Sequence, residues 1–307
     1  MKTAILFSGQ GAQYVNMGID FIESVPNLRT RLKKMSKILQ MDLEALLKDD
    51  KKINDTLYTQ PLMVAVEILI HDYLKELGLK VDGYTGFSLG EFSALYASNF
   101  YDEDAILKLI KKRAELMQEA SINNPGSMAA ILSLSDSDVE KICKEVSTNT
   151  DIVVAANYNS DGQLVISGSR LAVEKAVTLA KEKGARRAMM LNVSGAFHSP
   201  YMKEAGIKLK AYAKEFEIDE PKSITYKNTD AKVLNKNEVL EEIENQISSP
   251  VYFKQTIENM LKDGFTRFIE VGPGQVLTGL LKKITPESQV YNVSKFTDLA
   301  NLKEIIK

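Results

Sequence analysis

One serine stands between two glycines in a context that favours chemistry: Gly86-Phe87-Ser88-Leu89-Gly90. Apolar, strand-like residues precede it (Leu79, Val81, Tyr84), and a helix-like run over residues 91–97 follows. Strand, tight turn, helix is the order in which a G-x-S-x-G pentapeptide forms a nucleophile elbow. Glycine permits the sharp bend and leaves room where the helix passes the strand. The turn lifts the Ser88 hydroxyl clear of the backbone. The Leu89 amide then falls near a helix start, where it can face an oxyanion.

A serine hydroxyl is a weak nucleophile until a base takes its proton. The chain has two histidines. His71 sits inside a helical pattern with no motif around it, and a structural role is expected. His198 sits in the loop Ser194-Gly195-Ala196-Phe197-His198-Ser199-Pro200. It reads either as a base on a junction loop, where catalytic groups concentrate, or as a surface histidine beside a helix start. Arg113 is a separate clue. Its helix carries an apolar stripe of Ile106, Leu109, Ile110, Met117 and Ala120, and the spacing puts Arg113 on that buried face. A buried guanidinium must meet an anion. Glu91 is one candidate; a substrate carboxylate held by two parallel hydrogen bonds is the other. The loop Ser8-Gly9-Gln10-Gly11-Ala12-Gln13 lacks the Lys-Ser/Thr of a P-loop and the G-x-G-x-x-G spacing. Donating one backbone N–H to an oxyanion suits it better, because the elbow supplies only one.

These residues need a scaffold. Ala4-Ile5-Leu6-Phe7 reads as a buried strand, and helical patterns fill most of residues 17–77. In one of them Pro61 reads as an early helix position, ahead of an apolar stripe of Leu62, Val66, Leu69, Ile70, Tyr73, Leu74 and Leu77. A long helix starts at the N-cap Asp102 and ends before Pro125. Then the character changes. Strands at 128–132, 152–156, 164–167 and 187–193, with helices at 136–146 and 171–183, give the order β-α-β-β-α-β. Strand patterns at 223–226, 268–271 and 290–293 return to α/β alternation. The predicted fold is α/β: a large α/β-hydrolase-like domain with a mostly parallel sheet (residues 1–125 and 194–307), carrying a small inserted ferredoxin-like domain (residues 126–193).

Composition narrows the setting. The 307 residues are 44% hydrophobic and 26% charged, with 41 acidic and 39 basic side chains and a net charge of −2. That balance offers no global field for nucleic acid or an anionic membrane. The single cysteine, Cys143, excludes an intrachain disulfide and lies on the apolar side of a helical run, so a buried structural thiol is expected. The opening apolar run is too short for a signal peptide, and no uncharged stretch is long enough to span a bilayer. The expected location is cytoplasmic.

Taken together, the ordered motifs resemble the malonyl-CoA:acyl carrier protein transacylase family, the acyltransferases of fatty acid and polyketide synthesis. The resemblance rests on Phe7-Ser8-Gly9-Gln10-Gly11-Ala12-Gln13, Thr59-Gln60-Pro61, residues 86–95, Arg113 before Met117-Gln118-Glu119-Ala120, Ala196-Phe197-His198 and Glu270-Val271-Gly272-Pro273-Gly274. It covers nearly the whole chain. It implies that Ser88 is the nucleophile and His198 its base, that Arg113 binds the free malonyl carboxylate, and that the amides of Gln10 and Leu89 form the oxyanion hole. It further implies that Gln60 lines the pocket, that the backbone carbonyl of Tyr252 orients the histidine, and that Phe197 crowds substituents on the acyl α-carbon. Ser8 and Ala12 replace the family's usual proline and serine, Phe87 stands where histidine is frequent, and Tyr252 where glutamine is frequent.

The implied reaction is ping-pong transfer of malonyl from malonyl-CoA to the phosphopantetheine thiol of acyl carrier protein, with no metal and no cofactor, by a monomer. Lys181, Lys183, Arg186 and Arg187 form one candidate basic patch for an acidic partner, or simply a solvated helix end. The rivals are a discrete acyltransferase of a polyketide synthase, a serine esterase or thioesterase, and a non-catalytic carrier-binding module.

Overall fold

Ala4, Ile5, Leu6 and Phe7 are all fully buried, so the first strand is covered on both faces. The computed structural model describes residues 1–306. Among them the strands are β1 Lys2–Phe7, β2 Gly83–Gly86, β3 Gly126–Leu132, β4 Val153–Ser160, β5 Gln163–Ser169, β6 Arg187–Met190, β7 Ile224–Thr225, β8 Phe265–Val271 and β9 Gln289–Val293. The first sheet has the order β7-β2-β1-β8-β9, and every pairing in it is parallel. Chain leaving β1 goes to β2 and β7 on one side; β8 and β9 lie on the other. A crevice opens at the carboxyl end of β1, where the order reverses, and such points are where open α/β sheets bind ligands. The registers Phe7↔Gly86 and Phe7↔Val271 bring the loops after β1, β2 and β8 to that one edge.

The second sheet is antiparallel, with the order β4-β5-β3-β6, and comes from one continuous stretch. Its chain order is strand, helix, strand, strand, helix, strand, with helices Asp136–Val146 and Arg170–Glu182. These helices cover one face, where Ile131, Ile142, Ile166, Val173 and Cys143 form a separate apolar cluster. Burial pushes the Cys143 thiol up to about 12, so it stays a protonated core side chain. Met128, Ala156 and Val165, from the other face, pack into the main core.

Local differences have local causes. The helix bearing Pro61 starts earlier than its proline suggests: it runs Thr56–Glu76, capped by the Asp55 side chain on Leu57 N–H. Pro61 therefore lies inside the helix, where its ring removes one backbone donor. The expected stripe is also too narrow, since residues 59–71 of this helix are buried all round. The Asp102 cap is as read from sequence: its carboxylate accepts Ala105 N–H at 2.8 Å and opens the helix Glu103–Asn123.

The elbow depends on close backbone approach. A Cβ on Gly86 would sit 1.9 Å from the Gly90 carbonyl carbon, and one on Gly90 would sit 2.3 Å from the Phe7 carbonyl oxygen. The turn has no slack for a methyl group. Gly86→Ala is expected to lose at least ~2 kcal/mol, the usual scale of an overpacked interior, which lowers the melting temperature by roughly 3 °C or more in a chain of this size. Unchanged thermal unfolding would contradict the close crossing.

Candidate active site

Ser88 and His198 meet. The Ser88 Oγ lies 2.7 Å from His198 Nε2, although 110 residues separate them in sequence. Both backbones adopt positive φ, 53° for Ser88 and 57° for His198. Non-glycine residues rarely sit there, and such strain persists only where the surroundings enforce it. At Ser88 the enforcing group is Asn228. Its Oδ1 accepts the Ser88 N–H at 2.8 Å and its Nδ2 donates to the Gly86 carbonyl at 2.8 Å, clamping both ends of the bend.

His198 is oriented by carbonyls, and here one expectation needs correction. Nδ1 lies 3.0 Å from the Gln246 carbonyl and 3.1 Å from that of Ser249; the Tyr252 carbonyl has no part in it. Tyr252 O instead accepts from Thr256 N–H and Thr256 Oγ1 at the start of the helix Phe253–Lys262, while its ring stacks on Tyr158. The physical reason is that Gln246 ends the helix Val239–Gln246, and last-turn carbonyls lack intrahelical partners. They are free to accept an imidazole proton. With Nδ1 as the donor, the hydrogen-bond network assigns the Nε2 lone pair to Ser88. Burial first, and the Arg113 charge second, push His198 down to about 4, against the two carbonyls. The ring is neutral at pH 7 and able to take a proton.

Arg113 is only 1% exposed, as its place on the helical stripe requires. Nη1 donates to Gln60 Oε1 at 2.7 Å; Nη2 donates to Gln246 Oε1 at 3.0 Å and to Ser88 Oγ at 3.1 Å. The guanidinium lies 5.3 Å from the centre of the Phe92 ring, and its Nε has no partner. Among the described residues no carboxylate forms an ion pair with it. The Gln246 side chain stands between it and Glu91, donating to Glu91 Oε2 at 3.2 Å. Burial, and then the neighbouring Glu242, hold the Glu91 carboxyl well above its usual range. Burial also pushes Arg113 down, to about 9, with Glu91 acting against it. At neutral pH the arginine is charged and the acid behind it leans towards its neutral form. Of the two partners open in the sequence, Glu91 is a neighbour at one remove and not a counter-ion.

Gln10 lines the cleft over Ser88 and Leu89 follows the serine in the chain; neither backbone amide donates to a protein acceptor among the described residues. Leu89 is fully buried, where a donor without a partner is uncommon. Phe87, preceding the nucleophile, packs against Gly9 and lies 5.6 Å from Phe253 in ring centroids. The cleft over Ser88 has a volume of about 610 Å³. One wall is the loop 9–13 with Thr56; the other is the second sheet and the loop leaving it, through Met128, Asn157, Asn159, Val165 and Phe197. Gln60 does not line the cleft as expected: it lies behind it, fully buried, accepting from Arg113 and donating to Met117 Sδ at 3.4 Å, two residues that do line it.

The structure thus gathers Ser88, His198, Arg113, Gln10 and Phe197 around one cleft, with Leu89 next to the serine and Gln60 behind Arg113, and leaves Tyr252 outside. Sequence reasoning missed Asn228 and Gln246. Asn228 carried no signal beyond an asparagine after a short strand. Gln246 was findable: a helix ending before Ser248-Ser249-Pro250 must leave free carbonyls. His71 is structural, bonded to Asp72 and Tyr84 in the core. Of the four basic residues of the candidate patch, at the end of the helix Arg170–Glu182 and the start of β6, Lys183 pairs with Glu145 at 2.7 Å. Arg187 pairs with Leu132, at the far end of β3 from Gly126, about 20 Å along a strand of this length.

Comparison with known proteins agrees with this geometry. Residues 5–302 match the family described as acyl transferase domain. The malonyl CoA-acyl carrier protein transacylase of Bacillus subtilis (strain 168) is 37% identical over 296 residues, covering 95% of this chain and 93% of that protein. The protein of the same name from Staphylococcus aureus (strain MSSA476) is 36% identical over 306 residues, covering 99% of both. The crystal structure of MCAT from Streptococcus pneumoniae superposes with a TM-score of 0.94 at 37% identity, covering 99% of each chain. A malonyl-transacylase solved in complex with its type II polyketide synthase acyl-carrier protein gives 0.95 at 33% identity, again covering 99% of each. A buried arginine and a strained serine on one histidine, set in this scaffold, make the chain a member of the acyl transferase family, alongside the malonyl CoA-acyl carrier protein transacylases.

Proposed function

We propose that this chain transfers malonyl from malonyl-CoA to the phosphopantetheine thiol of acyl carrier protein, supplying chain elongation in fatty acid synthesis. One observation carries the reading: Ser88 Oγ lies within 2.7 Å of a neutral imidazole and 3.1 Å of a buried guanidinium that no internal acid neutralises. A nucleophile placed so suits an acyl group with a free carboxylate. The donors that carboxylate would take are Arg113 Nε, which has no partner, and Nη2, which Ser88 and Gln246 share. They lie on one edge of the guanidinium and suit bidentate capture.

His198 Nε2 accepts the Ser88 proton as Oγ attacks the thioester carbon. The amides of Gln10 and Leu89 receive the oxyanion. The tetrahedral adduct collapses, the C–S bond breaks, and the imidazolium returns its proton to the departing CoA sulfur. The malonyl ester on Ser88 is then attacked by the carrier thiol, His198 taking that proton and returning it to Ser88 Oγ. These steps call on no metal and no cofactor. Phe197, on the cleft wall, opposes a substituent on the acyl α-carbon.

The finer architectural reading belongs to this proposal: residues 1–125 and 194–307 as a hydrolase-like unit, residues 126–193 as a ferredoxin-like one. The strand–helix order of the second sheet, with β3 and β5 at its centre, supports the latter. Action as a cytoplasmic monomer, without nucleic acid or membrane, completes the reading. The near-neutral net charge supports it, and no helix among the described residues is long and apolar enough to cross a membrane. A second duty, loading a polyketide carrier, is favoured by the relative solved with such a carrier; competition between the two carriers separates them.

Intact-mass spectrometry after mixing with malonyl-CoA tests the function. A malonyl ester on Ser88, discharged by holo carrier protein, is expected; rapid release of free malonate would instead mark a hydrolase. In the same assay Arg113→Ala is expected to slow malonyl loading roughly 10- to 150-fold, about 1.5–3 kcal/mol for a charged hydrogen bond, and to affect acetyl-CoA far less. Equal losses would make Arg113 structural. The pH profile tests the base. Protonated His198 cannot accept the serine proton, so kcat/KM is expected to hold as pH falls through 6.5 and to drop only near pH 4. An acid limb centred at 6.5 would contradict the buried, carbonyl-held imidazole.

A further inference from the structure

Gln10 stands between two glycines, Gly9 and Gly11, so nothing local fixes the direction of its amide. Past Ser8, two hydrogen bonds join residues 9–13 to the rest of the described chain, and both go to the segment that opens the helix Thr56–Glu76. Gln13 Nε2 donates to Asn54 Oδ1 at 3.1 Å, out on the surface. Gln10 Nε2 donates to Thr56 Oγ1 at 3.0 Å, and Thr56 is only 3% exposed. Ser194 Oγ, 3.3 Å away, lies within reach of the Thr56 hydroxyl proton. Thr56 itself is held on both sides. Asp55 caps the helix on Leu57 N–H, and Thr59 Oγ1 reaches back to the Ile53 and Asp55 carbonyls at 2.6 and 3.0 Å. One turn further along the same face, Gln60 accepts from Arg113.

We infer that Thr56 is a positioning residue for the oxyanion hole: its hydroxyl, fixed on a core helix, holds the Gln10 side chain and so sets the direction of the Gln10 amide in the cleft. A donor preorganised for charge must not turn away before the charge forms. The Leu89 amide needs no such tether, because Leu89 is fully buried in the turn between the serine and its helix. The helix Thr56–Glu76 thereby serves both ends of the acyl group from one face. Thr56 stands behind the donor for the thioester oxygen, and Gln60 behind the arginine for the carboxylate. This inference rests on the proposed acylation of Ser88.

The test measures the acylation rate of Ser88 per folded site with malonyl-CoA and with acetyl-CoA. Thr56→Val keeps the side-chain shape and removes the hydroxyl. It is expected to slow both substrates by one factor, about tenfold, with KM little changed; removing an oxyanion donor outright costs ~10²–10³. The acid limb of the pH profile is expected to stay in place, because the two carbonyls on His198 are untouched. Thr56→Ser retains the hydroxyl and is expected to regain most of the rate. Gln10→Leu keeps the backbone N–H and is expected to match Thr56→Val. The double variant is expected to lose no more than either, whereas independent effects would multiply to about a hundredfold. Should Thr56→Val fail to fold, Gln10→Leu, on the partly exposed loop, carries the test with the same uniform loss. An unchanged rate, a loss confined to malonyl-CoA, a shifted acid limb, Thr56→Ser as slow as Thr56→Val, or multiplying losses would overturn the inference. A wild type that takes no acyl group would instead overturn the functional reading on which it rests.

Discussion

A guanidinium buried without a counter-ion governs this site. Taking Arg113 out of water is unfavourable by several kcal/mol unless its donors and charge are answered. The fold answers with amide oxygens from Gln60 and Gln246, the Ser88 hydroxyl and the face of Phe92. These satisfy donors and leave the charge. The acid that stood to cancel it, Glu91, is separated by the Gln246 side chain and leans to its neutral form beside Glu242. A positive potential therefore remains in a low-dielectric place, next to the nucleophile, where an incoming carboxylate gains most.

The same charge shapes the base. An imidazole beside a cation resists protonation, and a carboxylate partner would counter that resistance. Here the partners are two backbone carbonyls, one at a helix end and one in the loop after it, which orient the ring and favour a positive charge only weakly. His198 is thereby kept neutral in a buried site. A bound substrate carboxylate would offset Arg113 and make the imidazolium of the transition state easier to form. Gln246 joins the parts: its backbone holds His198, its Oε1 accepts from Arg113, and its Nε2 donates to the Ser88 carbonyl.

Much of this was legible in residue types and spacing. The elbow was, because only glycine fits the crossing at positions 86 and 90. Arg113 was, because a charge on an apolar stripe is a conflict that needs a partner. The strand–helix order of the second sheet was, because its alternation and turns are local. What escaped were contacts between segments distant in sequence. Tyr252 was chosen by motif position, whereas the carbonyls that reach His198 are set by where the preceding helix stops. Asn228 clamps the elbow across 140 residues, which no local pattern encodes. Pro61 suggested a later helix start, and an Asp cap six residues upstream of the proline overrode it.

The central claim is that the acyl carboxylate becomes the missing counter-ion of Arg113. A crystal structure of the malonyl ester trapped on Ser88 measures this directly. The carboxylate is expected within hydrogen-bond distance of both Nε and Nη2 of Arg113, with His198 still on the two carbonyls. A carboxylate turned to solvent, with Arg113 still bonded only to Gln60, Gln246 and Ser88, would contradict the account.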